Sequence, residues 1–201
     1  KKEIIEASKI DGSQVTKFVG FDALAADAKV VDVVAVKDRR AVIVDVSPCY
    51  AEMGGQVGDT GEIAGGGRLW RVTNTQKAGH TWLHLVDAGE VPEIGAPVRI
   101  AVDVPRRAAI QRHHTVTHLL HWALHEVVSR EATQKGSSVG PEKLTFDFNS
   151  AALTASQLAD IERLVNERIL ANEGVSWTEV PYADVKKRAD IMQFFGDKYG
   201  E

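Results

Sequence analysis

The first hundred residues alternate between short runs of β-branched residues and clusters of turn-forming residues. Residues 30–36 (VVDVVAV) and 41–46 (AVIVDV) are two such runs, separated by the charged segment KDRR. β-Branched residues favour strands, and a short polar break between two strands indicates a hairpin. A second hairpin is predicted in GEIAGGGRLWRV, where Gly65, Gly66 and Gly67 separate two strands. Several short strands separated by turns are typical of a small β-barrel or sandwich.

One segment interrupts this pattern: residues 47–61, SPCYAEMGGQVGDTG, called the glycine-rich loop below. It is too rich in glycine and polar residues for a strand, and it is too long for a tight turn. Loops of this kind inside a compact domain carry function more often than they lie idle. We therefore expect a functional loop at this point.

The hydrophobic period lengthens to that of a helix after Pro105, a residue that suits a first helical turn because its missing N–H would be unpaired there. A helix is predicted from Arg106 to about Arg130. The chain is accordingly divided into a linker or tail (1–16), a small β-barrel with the glycine-rich loop (17–104) and an α+β domain (105–201).

A second helix is predicted over residues 154–174, with a capping box of Thr154 and Gln157 at its start and Gly174 as its stop. Its apolar stripe should consist of Leu158, Ile161, Val165 and Ile169. The other elements predicted in this half are a hairpin around Gly140-Pro141, a strand over residues 175–182 and a helical turn in ADVKKRA.

Composition narrows the function classes. With 44% hydrophobic residues the chain can build a sizeable core, and its net charge of −4 means that any RNA contact needs a local basic patch. The single cysteine, Cys49, excludes an internal disulfide and favours a reducing, cytoplasmic setting. No apolar run approaches the roughly 20 residues of a membrane span, and no signal peptide is visible, so no membrane partner is expected.

The segment HHTVTHLLHWALH, residues 113–125, carries five of the seven histidines. At about 100° per residue, His114, His118, His121 and His125 share one face of the predicted helix. The opposite face should meet the core and consists of Val116, Leu120, Ala123, Leu124, Val127 and Val128.

The histidine face is either solvated or a metal site. Two histidines four residues apart on a helix can bind one zinc ion, and the pairs 114/118 and 121/125 have this spacing. The two pairs cannot share one ion, because residues 114 and 125 lie about 16 Å apart along a helix. Thr115 stands where metalloproteases have a catalytic glutamate, which argues against a peptidase.

Four motifs in one order carry a family resemblance. RRAAIQRHHTVTHLLHWAL, followed by QKGSSVGPEKLTFDF, resembles the editing domain of alanyl-tRNA synthetase and its free-standing relatives, the AlaX proteins. The glycine-rich loop is similar to a loop of that family. FVGFD and FFGDKYGE resemble the synthetase more than the free-standing proteins. The likeness runs from about Phe18 to Glu201.

The resemblance implies a β-barrel followed by a two-layer α/β sandwich, as in the editing domains of alanyl- and threonyl-tRNA synthetases. It implies hydrolysis of alanine tRNA wrongly charged with serine or glycine, as part of a class II alanine–tRNA ligase. The partners so implied are the acceptor end of that tRNA and the rest of the synthetase chain. The alternatives are a non-catalytic module that binds the tRNA acceptor stem and a metal-binding structural unit.

The family's zinc site combines an HxxxH pair with a Cys-x-x-x-His pair further on. The first pair falls on His114 and His118, and the chain stops at KYGE before the second, so the resemblance implies two of four zinc ligands and a truncated editing domain. Cys49 stands in the barrel loop in place of a family aromatic residue and cannot fill in. His113 and Met53 replace a family asparagine and glycine.

Four further residues receive catalytic roles from the resemblance. Thr117 would sense the substrate side chain, and Gln134 would hold the substrate or a water; the alternatives are ordinary surface residues on a helix and a strand. Glu52 and Gln56 would contact the terminal ribose or orient water, or would pin the glycine-rich loop to the barrel.

The remaining candidates flank the zinc pair. Arg106, Arg107 and Arg112 are the candidates for phosphate contact with the acceptor end, although a charged helix start explains them equally well. His121 and His125 are interpreted as solvated or as outer hydrogen-bond partners of the ligands.

Overall fold

The computed structural model describes residues 14–87, 89–176, 178–185 and 188. It divides into two compact units, which consist of Lys1–His114 with Ser138–Leu144, and of Thr115–Ser137 with Thr145–Glu201. The division falls inside the first helix, whereas the hydrophobic period changes at Pro105.

The first unit is built on strands. They are β1 (Lys17–Phe18), β2 (Ala25–Val36), β3 (Arg39–Val44), β4 (Val46–Ser47), β5 (Gly61–Gly65), β6 (Arg68–Ala78), β7 (Thr81–Val86) and β8 (Pro97–Val102). Six of these strands close into an antiparallel barrel in the order β2-β3-β7-β6-β5-β8. The predicted barrel is therefore confirmed. The strands β1 and β4 form a short parallel pair.

The alternation of side chains fills the barrel with aliphatic residues. Its core includes Val30, Val42, Val44, Ile63, Val72, Val86 and Ile100. The hairpin between β5 and β6 turns at Gly66 and Gly67, whose φ angles of 57° and 74° favour glycine. Gly65, expected in that turn, is instead the last residue of β5 and pairs with Arg68.

Part of the predicted N-terminal tail is tied to the barrel. Residues 1–13 lie outside the described residues, but Thr16 is buried and its hydroxyl donates to the carbonyl oxygen of Val44 at 3.0 Å. The backbone oxygen of Gln14 accepts from the hydroxyl of Thr81.

The later elements are α1 (Val104–Val127), β9 (Gln134–Val139), β10 (Leu144–Phe148), α2 (Ala155–Ala171) and α3 (Tyr182–Val185). These confirm both long helices and the hairpin around Gly140-Pro141. The strand predicted over residues 175–182 is wrong, since 175, 176 and 178–181 form no regular structure and 182 begins α3. The helical turn predicted in ADVKKRA is only in part within the described residues. No helix of the described ranges is long and apolar enough to cross a membrane.

The start of α2 is as predicted, and its end is not. The side chain of Thr154 accepts from the backbone of Gln157, and the side chain of Gln157 reaches back to the backbone N–H of Thr154. The helix ends at Asn172, whose left-handed conformation (φ 50°) makes it the cap in place of Gly174.

The buried face of α2 is rotated from the predicted stripe. Ile161 is buried and Val165 is half-buried, as expected, but Leu158 and Ile169 are 54% and 47% exposed. Leu164 packs against the core of the second unit, which also contains Ala123, Leu124, Phe146 and Phe148. The sequence has apolar residues on more of this helix than the core covers.

Candidate functional site

The glycine-rich loop is closed at its base by Asp59. The backbone N–H of Asp59 donates to the carbonyl oxygen of Tyr50 at 2.9 Å. In return, the backbone N–H of Tyr50 donates to the Asp59 carboxylate at 2.7 Å. These two hydrogen bonds make residues 50–59 a closed loop with fixed ends.

The tip of the glycine-rich loop is a tight turn with two left-handed glycines, Gly54 (φ 60°) and Gly55 (φ 87°). The end of β9 pairs with this tip. The backbone N–H of Val57 donates to the carbonyl oxygen of Val139, and the N–H of Val139 donates to the carbonyl oxygen of Gly55, at 3.1 and 2.9 Å. The tip is therefore held by backbone hydrogen bonds that need no side chain.

Gln56 connects the loop to the histidine helix. Its side chain is 8% exposed, and its Oε1 lies 2.7 Å from Nδ1 of His114. Because a carbonyl oxygen only accepts, the ring nitrogen must donate, which fixes His114 as the Nδ1–H tautomer. Partial burial lowers the pKa of His114, which favours the neutral ring.

His118 follows His114 by one helical turn on α1, and its side chain is exposed. Thr117 is buried, with 7% exposure, so the alternative interpretation as a surface threonine is wrong; its substrate-sensing role stays a prediction. Gln134 is half-buried on β9, and its Nε2 donates to the hydroxyl of Ser137 at 2.8 Å.

A zinc ion would have few ligands in this part of the chain. Across residues 14–87, 89–176, 178–185 and 188, no group of three or more His, Cys, Asp or Glu side chains could hold a metal. Burial raises the pKa of the Cys49 thiol to about 12, so this cysteine is not a ready thiolate ligand.

Glu52 pins the glycine-rich loop to the barrel. Its Oε2 accepts from the side-chain amide of Asn74 at 3.3 Å, and its backbone N–H donates to the carbonyl oxygen of Thr75 at 2.9 Å. Both partners lie on β6. These contacts agree with the pinning interpretation of Glu52.

Arg107 is an interior residue, contrary to its prediction as a phosphate contact. It is 5% exposed, and its Nε donates to both oxygens of the Asp59 carboxylate, at 3.1 and 2.9 Å. Its terminal nitrogens donate to the carbonyl oxygens of Gly20 and Pro48, each at 2.9 Å. Asp59 supplies the counter-charge and the surrounding carbonyls supply acceptors, so the guanidinium is drawn inward.

The phosphate contact predicted for Arg106 and Arg112 stays a prediction. Arg112 is exposed on α1. Arg106 is half-buried, and its Nη1 donates to the carbonyl oxygen of Gly58 at 2.9 Å, so it also contacts the glycine-rich loop.

Part of the four-histidine face is buried. His121 is 1% exposed, and its Nε2 lies 2.9 Å from the carbonyl oxygen of Ala132, while its ring packs on Phe146. His125 shares the same carbonyl, at 2.7 Å, and its ring lies edge-on to His121. The solvated interpretation of His121 is wrong: burial of the ring lowers its pKa.

A series of buried hydrogen bonds in the barrel was not predicted from the sequence. His84 on β7 is fully buried, with Nδ1 2.9 Å from the carbonyl oxygen of Val42 and Nε2 2.7 Å from the hydroxyl of Ser47. The Ser47 hydroxyl in turn accepts from the backbone N–H of Cys49. The signal in the sequence is a histidine within the apolar strand TWLHLV.

Comparison with known proteins places these features in a family. Residues 4–106 match the family described as tRNA synthetases class II (A). Proteins named alanine–tRNA ligase are similar over nearly the whole chain: 45% identity in Akkermansia muciniphila, covering 100% of the chain and 22% of the relative, and 44% in Methylacidiphilum infernorum, covering 94% and 20%. The relative in Deinococcus radiodurans is 42% identical, covering 96% and 23%. The chain spans about a fifth of the length of these relatives. With more than half of its residues in the family match, the chain belongs to the class II tRNA synthetases (A).

Proposed function

We propose that this chain is the editing part of an alanine–tRNA ligase and hydrolyses the ester that joins serine or glycine to alanine tRNA. The name shared by the relatives supports the ligase, and the motifs around the glycine-rich loop and His114 support the editing reaction. A site that activates alanine discriminates poorly against glycine, which lacks one methyl group, and against serine, which adds a hydroxyl. A second, hydrolytic site is the physical remedy.

The observation that carries this proposal is the hydrogen bond between Gln56 and His114. It joins the two most distinctive motifs of the sequence, although they lie 58 positions apart. It also gives Gln56 a different role from ribose contact, since its side-chain oxygen is occupied by the imidazole. We propose that Gln56 orients His114, while Glu52 holds the loop on β6.

We propose that zinc binds the imidazole pair of His114 and His118 as two of its four ligands. His114 and His118 are four residues apart on one helix, and partial burial favours the neutral His114 ring with Nδ1 engaged, the state in which a histidine binds metal through Nε2. When bound, zinc would polarise the ester carbonyl or activate water. The described residues supply no third protein ligand for this pair, so we propose His114 and His118 as part of the donor set only.

The remaining residues would select and place the substrate. Thr117 carries a hydroxyl one residue before His118 and would sense the serine side chain. Gln134 would hold the substrate or a water through its amide. Arg112, exposed on α1, would contact a phosphate of the tRNA acceptor end.

The test is deacylation of seryl- and glycyl-tRNA for alanine, with zinc present, by the chain and by the longer synthetase that contains it. Hydrolysis should be lost in His118→Ala and retained in His80→Ala, which removes an exposed histidine from the barrel surface. Binding of the tRNA without hydrolysis by the wild-type synthetase would favour the non-catalytic binding module instead.

A further inference from the structure

The buried pair of Asp59 and Arg107 lies where the glycine-rich loop meets the start of α1. The pair is nearly inaccessible to water, with side-chain exposures of 1% for Asp59 and 6% for Arg107. The Asp59 carboxylate also closes the loop on Tyr50, and the guanidinium also binds two carbonyls outside the loop, those of Gly20 and Pro48. One ion pair therefore ties together the loop base, the helix and the chain near Gly20.

We propose that Asp59 and Arg107 are a positioning pair, which sets the register of the glycine-rich loop along α1 so that Gln56 meets His114. The structural part of this inference concerns only the orientation of the His114 ring. Its consequence for catalysis rests on the proposed function.

The spacing of the two contact residues along the loop matches the spacing of their partners along α1. Asp59 lies three residues after Gln56, and three residues of chain can span up to about 10 Å. Arg107 lies seven residues before His114, and seven residues of helix also rise about 10 Å. Seven residues are close to two full turns, so both side chains leave the same side of α1. The contacts 59/107 and 56/114 therefore form two parallel connections between the loop and the helix.

Other anchors also hold the loop, among them the backbone N–H of Asp103, which lies just before α1 and donates to the carbonyl oxygen of Thr60 at 2.9 Å. Glu52 fixes the loop to β6, and Val57 fixes its tip to β9. The contact of Arg106 with Gly58 involves a single hydrogen bond from a half-buried side chain. Among the loop contacts of the described residues, the Asp59–Arg107 pair alone combines opposite charges with several hydrogen bonds at a buried position, where removal of one partner leaves the other charge unpaired.

The planar shape of the Arg107 side chain contributes to this positioning. Its planar group donates to the carboxylate and to two carbonyls in fixed directions. A lysine would keep the charge but could not make these contacts together. Arg107→Lys and Asp59→Asn therefore test geometry and charge separately.

The experiment reads the His114 tautomer by nitrogen-15 NMR of the imidazole groups, above neutral pH and with a chelator present. The His114 signals are assigned by their absence from His114→Gln. The matched controls are Asp27→Asn and Arg99→Lys, the same two kinds of substitution in an exposed ion pair of the same barrel, with a 3.0 Å separation. His84, a second Nδ1–H imidazole in the barrel interior, reports in the same spectrum that the barrel is folded.

We expect Asp59→Asn and Arg107→Lys to convert His114 from a pure Nδ1–H pattern to a mixture of tautomers, while His84 keeps its pattern and both controls match the wild type. An unchanged His114 pattern in both folded variants would overturn the proposal. If a variant loses the His84 pattern, its barrel has not folded, and hydrogen exchange in the wild-type protein then tests the proposal instead. The amides of Tyr50 and Val57 should then exchange through one shared opening, and separate openings would overturn the proposal.

Activity supplies an independent readout. Asp59→Asn should lower kcat for seryl-tRNA deacylation about 100-fold with little change in KM, because misplacement of a catalytic group acts on the chemical step. A wild-type protein without deacylase activity would remove the proposed function, and the NMR result would still decide whether the pair positions His114.

Discussion

Acid should destabilise the barrel through His84. The folded barrel holds this ring neutral: Nδ1–H donates to Val42, and Nε2 accepts from the Ser47 hydroxyl. Burial lowers the pKa of His84 from 6.5 to about 4. Protonation would place a charge in the interior and would put an N–H where the Ser47 O–H now donates.

The size and sign of the effect follow from the two pKa values. Between pH 6.5 and pH 4 the unfolded chain binds a proton at His84 and the folded chain does not, so the free energy of unfolding falls as the pH falls. At 1.36 kcal/mol for each tenfold difference in proton affinity, the loss approaches about 3 kcal/mol at pH 4. Above pH 6.5 His84 is neutral in both states and contributes no pH dependence.

Urea unfolding of the barrel, followed by the NMR signals of β3 and β7 amides, measures this loss at a series of pH values. His84→Gln keeps one hydrogen-bond donor and one acceptor but cannot titrate, so its barrel should lose about 3 kcal/mol less than the wild type between neutral pH and pH 4. His80→Gln removes an exposed histidine and should follow the wild type. Parallel curves for the wild type and His84→Gln would refute the assignment of a buried neutral imidazole.

Three further outcomes are expected. Ile161→Ala should destabilise the second unit by about 2–4 kcal/mol in urea unfolding, whereas Leu158→Ala, at an exposed position, should cost well under half of that; equal losses would contradict the observed face of α2. Gly58→Ala should lower the Tm and disturb the His114 signals, because a Cβ there overlaps a carbonyl oxygen of β6, while Gly89→Ala meets no atom and should be neutral. Arg112→Ala should reduce the salt slope of tRNA binding by about one and weaken binding to all tRNAs alike; an unchanged slope would exclude the phosphate contact.

The barrel could be predicted because its signals are local. The β-branched runs became β2 and β3, and the consecutive glycines became a hairpin turn. The capping box of Thr154 and Gln157 could be predicted for the same reason, since both partners lie within one helical turn. Each of these features depends on residues close together in the chain.

The failures at the candidate site concern contacts between residues that are not neighbours in the chain. Arg106 and Arg107 look equivalent in the sequence, but Asp59 and the carbonyl oxygens of Gly20 and Pro48 draw Arg107 into the interior. A helical wheel places His121 beside His118, but it cannot show that Ala132 and Phe146 cover that part of the face. Asp59, an acidic residue near the end of the glycine-rich loop, was a usable hint, because a buried carboxylate requires a cation.

The glycine-rich loop is suited to a fixed role rather than to opening and closing. Its base is closed by Asp59, its side is held by Glu52 on β6, and its tip pairs with Val139 through backbone hydrogen bonds. Gly58 lets the loop backbone lie against β6 at a distance that no side chain would allow. Anchors on several sides make the position of Gln56 a property of the barrel fold. An imidazole held by a fixed partner, as His114 is by Gln56, is preorganised, which is what the proposed hydrolytic site would require.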